Sequence, residues 1–253
     1  MPAYSKKTAE SYDKDLLTIL GAIVERRKRK QLLQKHKITL KNKNIYIVGC
    51  GTGRDAEEIK QDFNPAEIDA SDPSKYMISL AKNKHPYINF SAKSAENLKG
   101  VASEYYDFVN CSLILNQVRN YKKAIKEMFR ICKTGGHILI TIVHPHSIGE
   151  NEEKKRHKYT IEAFNATAWK RPASDYKKSI FESSGKIIDE ESLITSAKDL
   201  DMTKKDLKHQ FYIHASYEKE NKKKQKEIEK VFNKHYSDIN NFAWGWMILS
   251  QKT

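Results

Sequence analysis

The chain has 253 residues, a formal net charge of +14 and a hydrophobic fraction of 39%. This length and apolar content fit a single α/β domain with an appendage, and they exclude an intrinsically disordered chain. No apolar run approaches the roughly 18 residues that span a bilayer, and residues 1–10 lack the apolar stretch of a secretory signal. The three cysteines, Cys50, Cys111 and Cys132, show no Cys-x-x-Cys spacing. We therefore expect a soluble, cytoplasmic protein with neither a disulfide framework nor a bound metal ion.

The excess of lysine and arginine has two interpretations. A basic chain is typical of RNA-binding proteins, and the run Arg26–Lys30 would suit contact with phosphates. Alternatively, lysine fills solvent-exposed faces, as in Lys222–Lys224, where nearby glutamates are typical of a salt-bridged helix surface. The other basic residues are spread along the chain. We therefore favour the second interpretation, and we expect the charged block after Val24 to face water.

Helix and strand patterns alternate along the chain up to Val143. An amphipathic helix is predicted over residues 11–34, followed by a short connector. The next predicted elements are strand 45–48, helix 55–62, strand 66–70, helix 74–83, strand 88–90, strand 108–115, helix 121–131 and strand 137–143. Such alternation indicates parallel strands joined by crossover helices. The predicted fold class is therefore α/β and Rossmann-like, with a mostly parallel central sheet and helices on both faces.

The alternation stops after Pro145. Residues 146–172 are polar and irregular in pattern, with scattered aromatic side chains. The elements predicted beyond them are a helix over 173–184, a strand over 186–188, a long charged helix over 216–236 and a closing strand over 242–250. We interpret this part of the chain as a region inserted before the last strand.

A glycine-rich turn joins the first predicted strand to the next helix. Its sequence, residues 49–53, is Gly-Cys-Gly-Thr-Gly. Glycine lets a ligand approach the backbone closely, and a helix N-terminus presents N–H groups to it. Arg54 stands where a dinucleotide fingerprint has its third glycine, which argues against NAD. An acid about 20 residues further along commonly binds ribose in nucleotide folds, and Asp69 and Asp72 are both candidates.

Five stretches of the chain together resemble the class I S-adenosylmethionine-dependent methyltransferases, particularly their ubiquinone/menaquinone-biosynthesis-like, small-molecule branch. They occur in the family's order and spacing, at residues 45–53, 71–77, 89–98, 106–113 and 128–140. The resemblance implies S-adenosylmethionine as the cofactor. With it we expect three regions, a helical lid (1–40), a cofactor-binding core (41–145), and a substrate cap with closing sheet elements (146–253).

The resemblance also implies cofactor contacts at the matching positions. These are Gly49, Cys50, Gly51 and Gly53 under the methionine part, Asp72 at the ribose, Met77, Ser94 and Ala95 at the adenine, and Cys111 and Ser112 under the sulfonium. The family's spacing to Ser74 and Met77 favours Asp72 over Asp69 as the ribose-binding acid. Two positions depart from the family. Ile47 replaces an acid that usually helps to orient the cofactor's amino group, and Ser94 replaces a frequent aspartate.

Candidate residues for the methyl acceptor lie after the core strands. His144 and His146 follow strand 137–143, where a parallel sheet has its ligand crevice, and either could act as a general base. A metal pair is disfavoured because no acid or thiolate lies nearby in the sequence. The remaining candidates for acceptor contacts are Tyr4, Tyr12, Asn116, Gln117 and Trp169.

Together these patterns predict S-adenosylmethionine-dependent methyl transfer to an O or N atom of a small-molecule acceptor. Two alternatives stay open. An RNA methyltransferase would explain the positive charge, although no RNA-binding module is recognisable. A non-catalytic, cofactor-binding subunit that acts with a partner protein would explain the departures at Ile47 and Ser94.

Overall fold

The computed structural model describes residues 16–143, 157–161, 166–194 and 243–253, together with residues 6, 9, 12 and 13. The strands are β1 (Asn44–Val48), β2 (Glu67–Ser71), β3 (Asn89–Ser91), β4 (Tyr106–Ser112), β5 (Cys132–Val143), β6 (His157–Ile161), β7 (Ala166–Lys170), β8 (Gly185–Ile194) and β9 (Ala243–Lys252). The helices are α1 (Leu16–Lys35), α2 (Arg54–Phe63), α3 (Lys75–Lys84), α4 (Tyr121–Ile131) and α5 (Ala173–Glu182).

Seven strands form one sheet in the order β3-β2-β1-β4-β5-β9-β8. The first five strands of this order, β3, β2, β1, β4 and β5, are parallel to one another. Strand β9 runs antiparallel to both β5 and β8. The predicted α/β, Rossmann-like fold with a mostly parallel sheet is therefore confirmed. Because the chain order reverses between β1 and β4, the carboxyl ends of these two strands border a crevice, the usual ligand site of such sheets.

Helices cover both faces of the sheet, as predicted. Side chains of a strand alternate between faces, so Ile45 and Ile47 of β1 belong to one core cluster and Tyr46 and Val48 to the other. The first cluster includes buried residues of α1, α2 and α3, and the second includes buried residues of α4 and α5. None of the described helices combines the length and the apolar character that a bilayer span requires.

Two parts of the fold differ from the sequence prediction. Within the stretch 146–172, expected to be irregular, β6 and β7 pair as an antiparallel hairpin with Tyr159 opposite Ala168. Among the described residues these strands pair only with each other, outside the seven-stranded sheet. A strand outside the buried sheet needs no continuous apolar run, which is why the sequence pattern did not predict them. Strand β8 is longer than the predicted 186–188 because it pairs with β9 along its length. The helix predicted over 216–236 lies outside the described residues.

Candidate functional site

The glycine-rich turn is fixed to the end of β2 by its backbone. The N–H groups of Gly49 and Cys50 both donate to the carbonyl oxygen of Ser71, at 2.7 and 2.9 Å. Gly49 and Gly53 have φ angles of +73° and +90°. A Cβ at Gly49 would lie 2.6 Å from the side chain of Ile114, and one at Gly53 would lie 2.8 Å from the Phe90 ring. Backbone conformation and packing thus both require glycine at these two positions.

Asp72 connects the glycine turn to the start of α3. One carboxylate oxygen accepts a hydrogen bond from the N–H of Gly51 at 3.1 Å, and the other accepts from the N–H of Ser74 at 2.8 Å. The Asp72 residue is only 6% exposed. Burial raises the pKa of its carboxyl group, and the two N–H donors counteract that rise. Asp72 therefore lies where the backbone of the turn and the crevice meet.

Asp69, the other sequence candidate, lies elsewhere. Its carboxylate accepts a hydrogen bond from the hydroxyl of Tyr106. It lines an open groove of about 740 Å³ together with Tyr46, and none of the turn residues 49–53 borders that groove. The structure thus separates the two aspartates and places only Asp72 beside the turn.

A cavity of about 60 Å³ lies between the turn, Asp72 and the loop after β4. Of the predicted site residues, its wall includes Tyr12, Gly49, Cys50, Gly51, Asp72, Met77, Ser112 and Gln117. Additional wall residues are Thr52, Arg54, Asp55, Leu113 and Ile114. Pockets for small ligands usually hold about 300–1,000 Å³, so side chains of the wall must move for a nucleotide-sized ligand to enter.

Four predicted cofactor residues do not line this cavity. The backbone of Ser94 forms an isolated antiparallel β-bridge with that of Asn97, and the Ser94 hydroxyl accepts a hydrogen bond from the N–H of Glu96. Ala95 and Cys111 are buried in the second core cluster, and Gly53 packs against Phe90. Burial raises the pKa of the Cys111 thiol, as expected for a core cysteine. Packing explains Gly53, Ala95 and Cys111, and cofactor contacts at these positions stay predictions.

The candidate acceptor residues are divided by the structure. Tyr12 and Gln117 line the cavity. Asn116 is 5% exposed, and its backbone carbonyl oxygen accepts a hydrogen bond from the backbone N–H of Trp169 at 2.6 Å. Tyr4, His144 and His146 lie outside the described residues, although β5 ends at Val143, directly before His144.

Arg171, which sequence reasoning missed, connects the β6–β7 hairpin to the loop after β4. Its guanidinium donates to the carbonyl oxygens of Leu115 and Val118 at 2.9 and 2.8 Å. It also lies over the rings of Tyr121 and Trp169, with its central carbon 4.7 and 5.3 Å from their centroids. The hairpin is therefore held at the edge of the crevice, next to Asn116.

Residues 12 and 13 lie against the glycine turn. Tyr12 is the nearest side chain to a Cβ placed on Gly51, at 3.9 Å. The hydroxyl of Thr52 donates to the Asp13 carboxylate at 2.7 Å, and Lys84 forms an ion pair with the same carboxylate. The segment before α1 thus contacts the turn at the cavity.

The run Arg26–Lys30 faces α2 rather than water alone. Arg29 is fully buried, its Nη2 lies 2.9 Å from an oxygen of Glu58, and its Nη1 lies 3.8 Å from an oxygen of Asp55. Arg26 and Lys30 both pair with Asp62, at 2.8 and 3.2 Å. The prediction that this block faces water was wrong for Arg29, because α2 presents acids at helical spacing.

Burial raises the pKa of the Glu58 and Glu25 carboxyl groups. Desolvation, followed by the charge of Asp55, raises the pKa of Glu58 to about 7. The same two causes raise the pKa of Glu25, which is 2% exposed. One Glu25 oxygen accepts from the hydroxyls of Ser112 and Thr141, both at 2.6 Å. Glu25 thus contacts β4 and β5 and reaches the cavity wall only through Ser112, a placement that the sequence did not reveal.

Comparison with known proteins agrees with this geometry. Residues 47–140 match the family model described as "Methyltransferase domain". A ubiquinone/menaquinone biosynthesis C-methyltransferase from Campylobacter jejuni is 30% identical over 139 residues, which cover 52% of this chain and 58% of that protein. A human thiol S-methyltransferase is 33% identical over 101 residues, which cover 37% of this chain and 39% of that protein. The chain thus spans about half the length of the curated relatives it matches.

Solved structures share the fold. Phosphoethanolamine N-methyltransferase 2 from Haemonchus contortus, in complex with S-adenosyl-L-methionine, superposes with a TM-score of 0.61 at 13% identity, covering 89% of this chain and 52% of that one. At this identity the likeness concerns the fold alone. Residues 47–140 thus match a methyltransferase domain, and the sheet order and the glycine turn agree with the fold of the class I S-adenosylmethionine-dependent methyltransferases.

Proposed function

We propose that this protein binds S-adenosylmethionine at the cavity beside the glycine turn and transfers its methyl group to an O or N atom of a small molecule. One observation carries the proposal. The family match spans the turn and Asp72, and Asp72 is a buried carboxylate hydrogen-bonded to the backbone of that turn. The match and the cavity thus concern the same residues.

The residues present fit the cofactor's chemistry. The Asp72 carboxylate can accept hydrogen bonds from ribose hydroxyls, because each oxygen has more than one lone pair. The positive end of the α2 dipole and the Arg54 guanidinium, which lines the same wall, would favour the negatively charged methionine carboxylate. Met77 supplies an apolar surface for the adenine. Tyr12 and Ile114 are the side chains that we expect to move when the cofactor enters.

When bound, the cofactor supplies a methyl group activated by a sulfonium. The protein then has to exclude water and place the acceptor in line with that group. Gln117 in the wall, together with Asn116 and Trp169 at the hairpin, lies at the edge where the acceptor would approach. His144 or His146, following β5, would accept a proton if the acceptor arrives protonated.

The ion pairs of α1 favour a small-molecule acceptor over RNA. Two sequence features suggested RNA, the net positive charge and the basic run 26–30, and three residues of that run are paired with acids of α2. A buried or paired cation contributes little to phosphate binding. The choice of O or N as the accepting atom remains a proposal, since the relatives above are named for transfer to carbon and to sulfur.

Calorimetry with S-adenosylmethionine and its demethylated product tests cofactor binding. We expect Asp72→Ala to weaken binding by about 2 kcal/mol, the order expected when a charged hydrogen-bonding partner is lost. Asp69→Ala is the matched control, because that carboxylate contacts Tyr106 instead. Equal effects of the two substitutions would contradict the assignment, and absence of binding at millimolar cofactor would end it.

Turnover assays then separate the functions. The purified chain alone should methylate a member of a metabolite panel and leave bulk RNA unmodified. Methylation of RNA only would favour an RNA methyltransferase. Cofactor binding without any turnover, restored by a second protein, would favour a partner subunit.

A further inference from the structure

The chain crosses from β3 to β4 without a helix. Parallel strands are usually joined by a crossover helix, which covers the face of the sheet that it crosses. Here residues 92–105 make the connection with turns and one isolated bridge, and an open groove of about 740 Å³ lies beside them on the sheet. We infer that this groove is a second binding site, for a small organic cation whose ammonium or guanidinium group donates hydrogen bonds. The groove shares no wall residue with the cavity beside the glycine turn, so the inference is independent of the proposed function.

The floor of the groove is the side of β2 that no helix covers. Ile68 of this strand is buried in the first core cluster, whereas its neighbours Glu67 and Asp69 are partly buried and line the groove. The hydroxyl of Tyr105 donates to Glu67 at 2.8 Å, and that of Tyr106 donates to Asp69. A carboxylate has about four lone-pair positions, so each of these acids can accept further hydrogen bonds from a ligand.

A buried hydroxyl in the same wall has no hydrogen-bond partner. Tyr46 is 1% exposed and lines the groove, and its ring lies edge-on to that of Tyr106, with 4.9 Å between the centroids. No group among the described residues meets the distance and angle of a hydrogen bond to the Tyr46 hydroxyl. Burial raises the pKa of Tyr46, and the nearby hydroxyls of Ser71 and Ser91 counteract part of that rise. Because buried polar atoms are normally paired, this hydroxyl is a second and independent sign of a ligand with hydrogen-bonding groups.

The tyrosines and the acids together determine the charge of that ligand. The rings of Tyr105 and Tyr106 lie 5.0 Å apart, and Tyr105 is 39% exposed, so its ring is accessible. The hydrogen bond to Glu67 and the charge of this residue raise the pKa of Tyr105, and burial followed by the hydrogen bond to Asp69 raises that of Tyr106. Both phenols therefore stay neutral beside two carboxylates. Neutral aromatic rings next to carboxylates attract an ammonium or a guanidinium.

Two lysines also line the groove, so that its formal charge is zero. Nζ of Lys93 donates to the carbonyl oxygen of Lys99 at 2.6 Å, and Lys82 is exposed on α3. Among the described residues neither lysine forms an ion pair with Glu67 or Asp69, whose side-chain partners are the tyrosines. A cationic ligand can therefore reach both carboxylates without displacing an ion pair of the protein.

Arg130 of α4 fixes the wall opposite the floor. Its guanidinium donates to the carbonyl oxygens of Leu98 and Val101 at 3.2 and 2.9 Å, and to the hydroxyl of Ser103 at 2.9 Å. It also pairs with Glu127 at 2.9 Å. Val101 lines the groove, so the connection between β3 and β4 is held in place before any ligand enters. A preformed wall lowers the cost of ordering on binding, and the groove volume is within the usual range for small ligands.

Calorimetry with agmatine, which carries a guanidinium and an ammonium, tests the inference. We expect the wild-type protein to bind agmatine saturably and more tightly than tetramethylammonium, which has the charge but no N–H donor. Glu67→Gln should weaken agmatine binding on the order of tenfold, because the ligand loses a charged hydrogen-bonding partner. Tyr105→Ala should weaken it about threefold through loss of the ring, whereas Tyr105→Phe keeps the ring and should retain most of the affinity.

Glu104→Gln is the matched control, because Glu104 is an exposed acid that pairs with Lys252 outside the groove. It should leave agmatine binding unchanged. The inference is wrong if millimolar agmatine shows no saturable binding, if tetramethylammonium binds equally well, or if Glu67→Gln and Glu104→Gln cause equal losses. The comparison of the two ligands on the wild-type protein decides the matter even where a variant does not fold. S-adenosylmethionine binding is measured separately, so either proposal can fail while the other stands.

Discussion

Replacing Arg29 by methionine tests how the buried ionic cluster of α1 and α2 stabilises the domain. The side chain of Arg29 is fully buried, and it lies beside Asp55 and Glu58. Removing one member of a buried pair leaves an uncompensated charge and typically costs about 3–5 kcal/mol. Arg26→Met is the matched control. The Arg26 side chain pairs with Asp62 but is 35% exposed, and ion pairs with an exposed partner contribute about 1 kcal/mol or less.

The pH dependence identifies the cause of the loss. In the wild-type fold the pKa of Glu58 is raised to about 7, so the stability linked to its protonated form is present at low pH and lost as the pH rises toward that value. The charge of Arg29 lowers the pKa of both Glu58 and Glu25. Without Arg29 these pKa values rise further, and the folded variant holds extra protons above pH 7. The destabilisation should therefore be larger at pH 8 than at pH 6, by up to about 1.4 kcal/mol for each pH unit and each group.

Urea unfolding at pH 6 and pH 8, followed by circular dichroism, measures both effects. We expect Arg29→Met to lose several times more stability than Arg26→Met at pH 8, and to recover part of the loss at pH 6. A cavity left by the shorter side chain would cost the same at both pH values. Equal losses for the two variants, or a loss from Arg29→Met that does not change with pH, would refute the reasoning.

Further predictions concern the turn and the histidines. Gly53→Ala should cost about 2–4 kcal/mol in urea unfolding, because it combines a φ of +90° with a Cβ only 2.8 Å from the Phe90 ring. Gly135→Ala, at a φ of +78° with no atom within 4 Å of its Cβ, should cost about 1 kcal/mol, and similar losses for both would contradict the packing argument. Replacing the responsible histidine, His144 or His146, by alanine should lower turnover by about 10²–10⁴-fold and remove a rise in rate near pH 6.5, with cofactor affinity nearly unchanged. Full turnover in both alanine variants would mean that placement alone drives catalysis.

The order of strands and helices could be predicted because it has a local signature. The apolar run Ile45–Val48 followed by a glycine turn, and the helix Tyr121–Ile131 with its apolar face, can each be recognised without knowledge of any distant contact. The helix predicted from residue 74 begins instead at Lys75, because Ser74 caps it with its hydroxyl. Boundaries of this kind depend on one hydrogen bond, so small shifts are expected.

The buried charges could not be predicted in the same way. Whether Arg29 faces water depends on Glu58, which is 29 positions away and on another helix. A lysine- and arginine-rich run looks the same in sequence whether it binds water, phosphate or a neighbouring helix. A partial signal existed in the spacing of Asp55, Glu58 and Asp62, which places all three acids on one side of α2. Pairing that acidic face with the basic run would have been a prediction about helix packing rather than about RNA.

The departure at Ile47 has a physical counterpart in this cluster. Ile47 is 1% exposed and packs in the first core cluster, so β1 contributes no carboxylate to the cavity. The acids that lie at or behind the cavity wall on that side, Asp55 and Glu25, come from the helices instead. The carboxylates on that side of the cavity therefore come from the helices and not from β1.

The proposed function requires that selection of the acceptor come from residues outside the shared turn. The relatives above are named for transfer to carbon and sulfur, and the structural neighbour for transfer to nitrogen, yet all share this type of sheet or its sequence pattern. The family match ends at residue 140, before β5 ends at Val143. The hairpin held by Arg171 lies beyond that limit and contacts Asn116 through Trp169. Substitutions at Trp169 and Arg171 should therefore change which acceptor is methylated while leaving cofactor affinity in place, whereas substitutions in the turn should do the reverse.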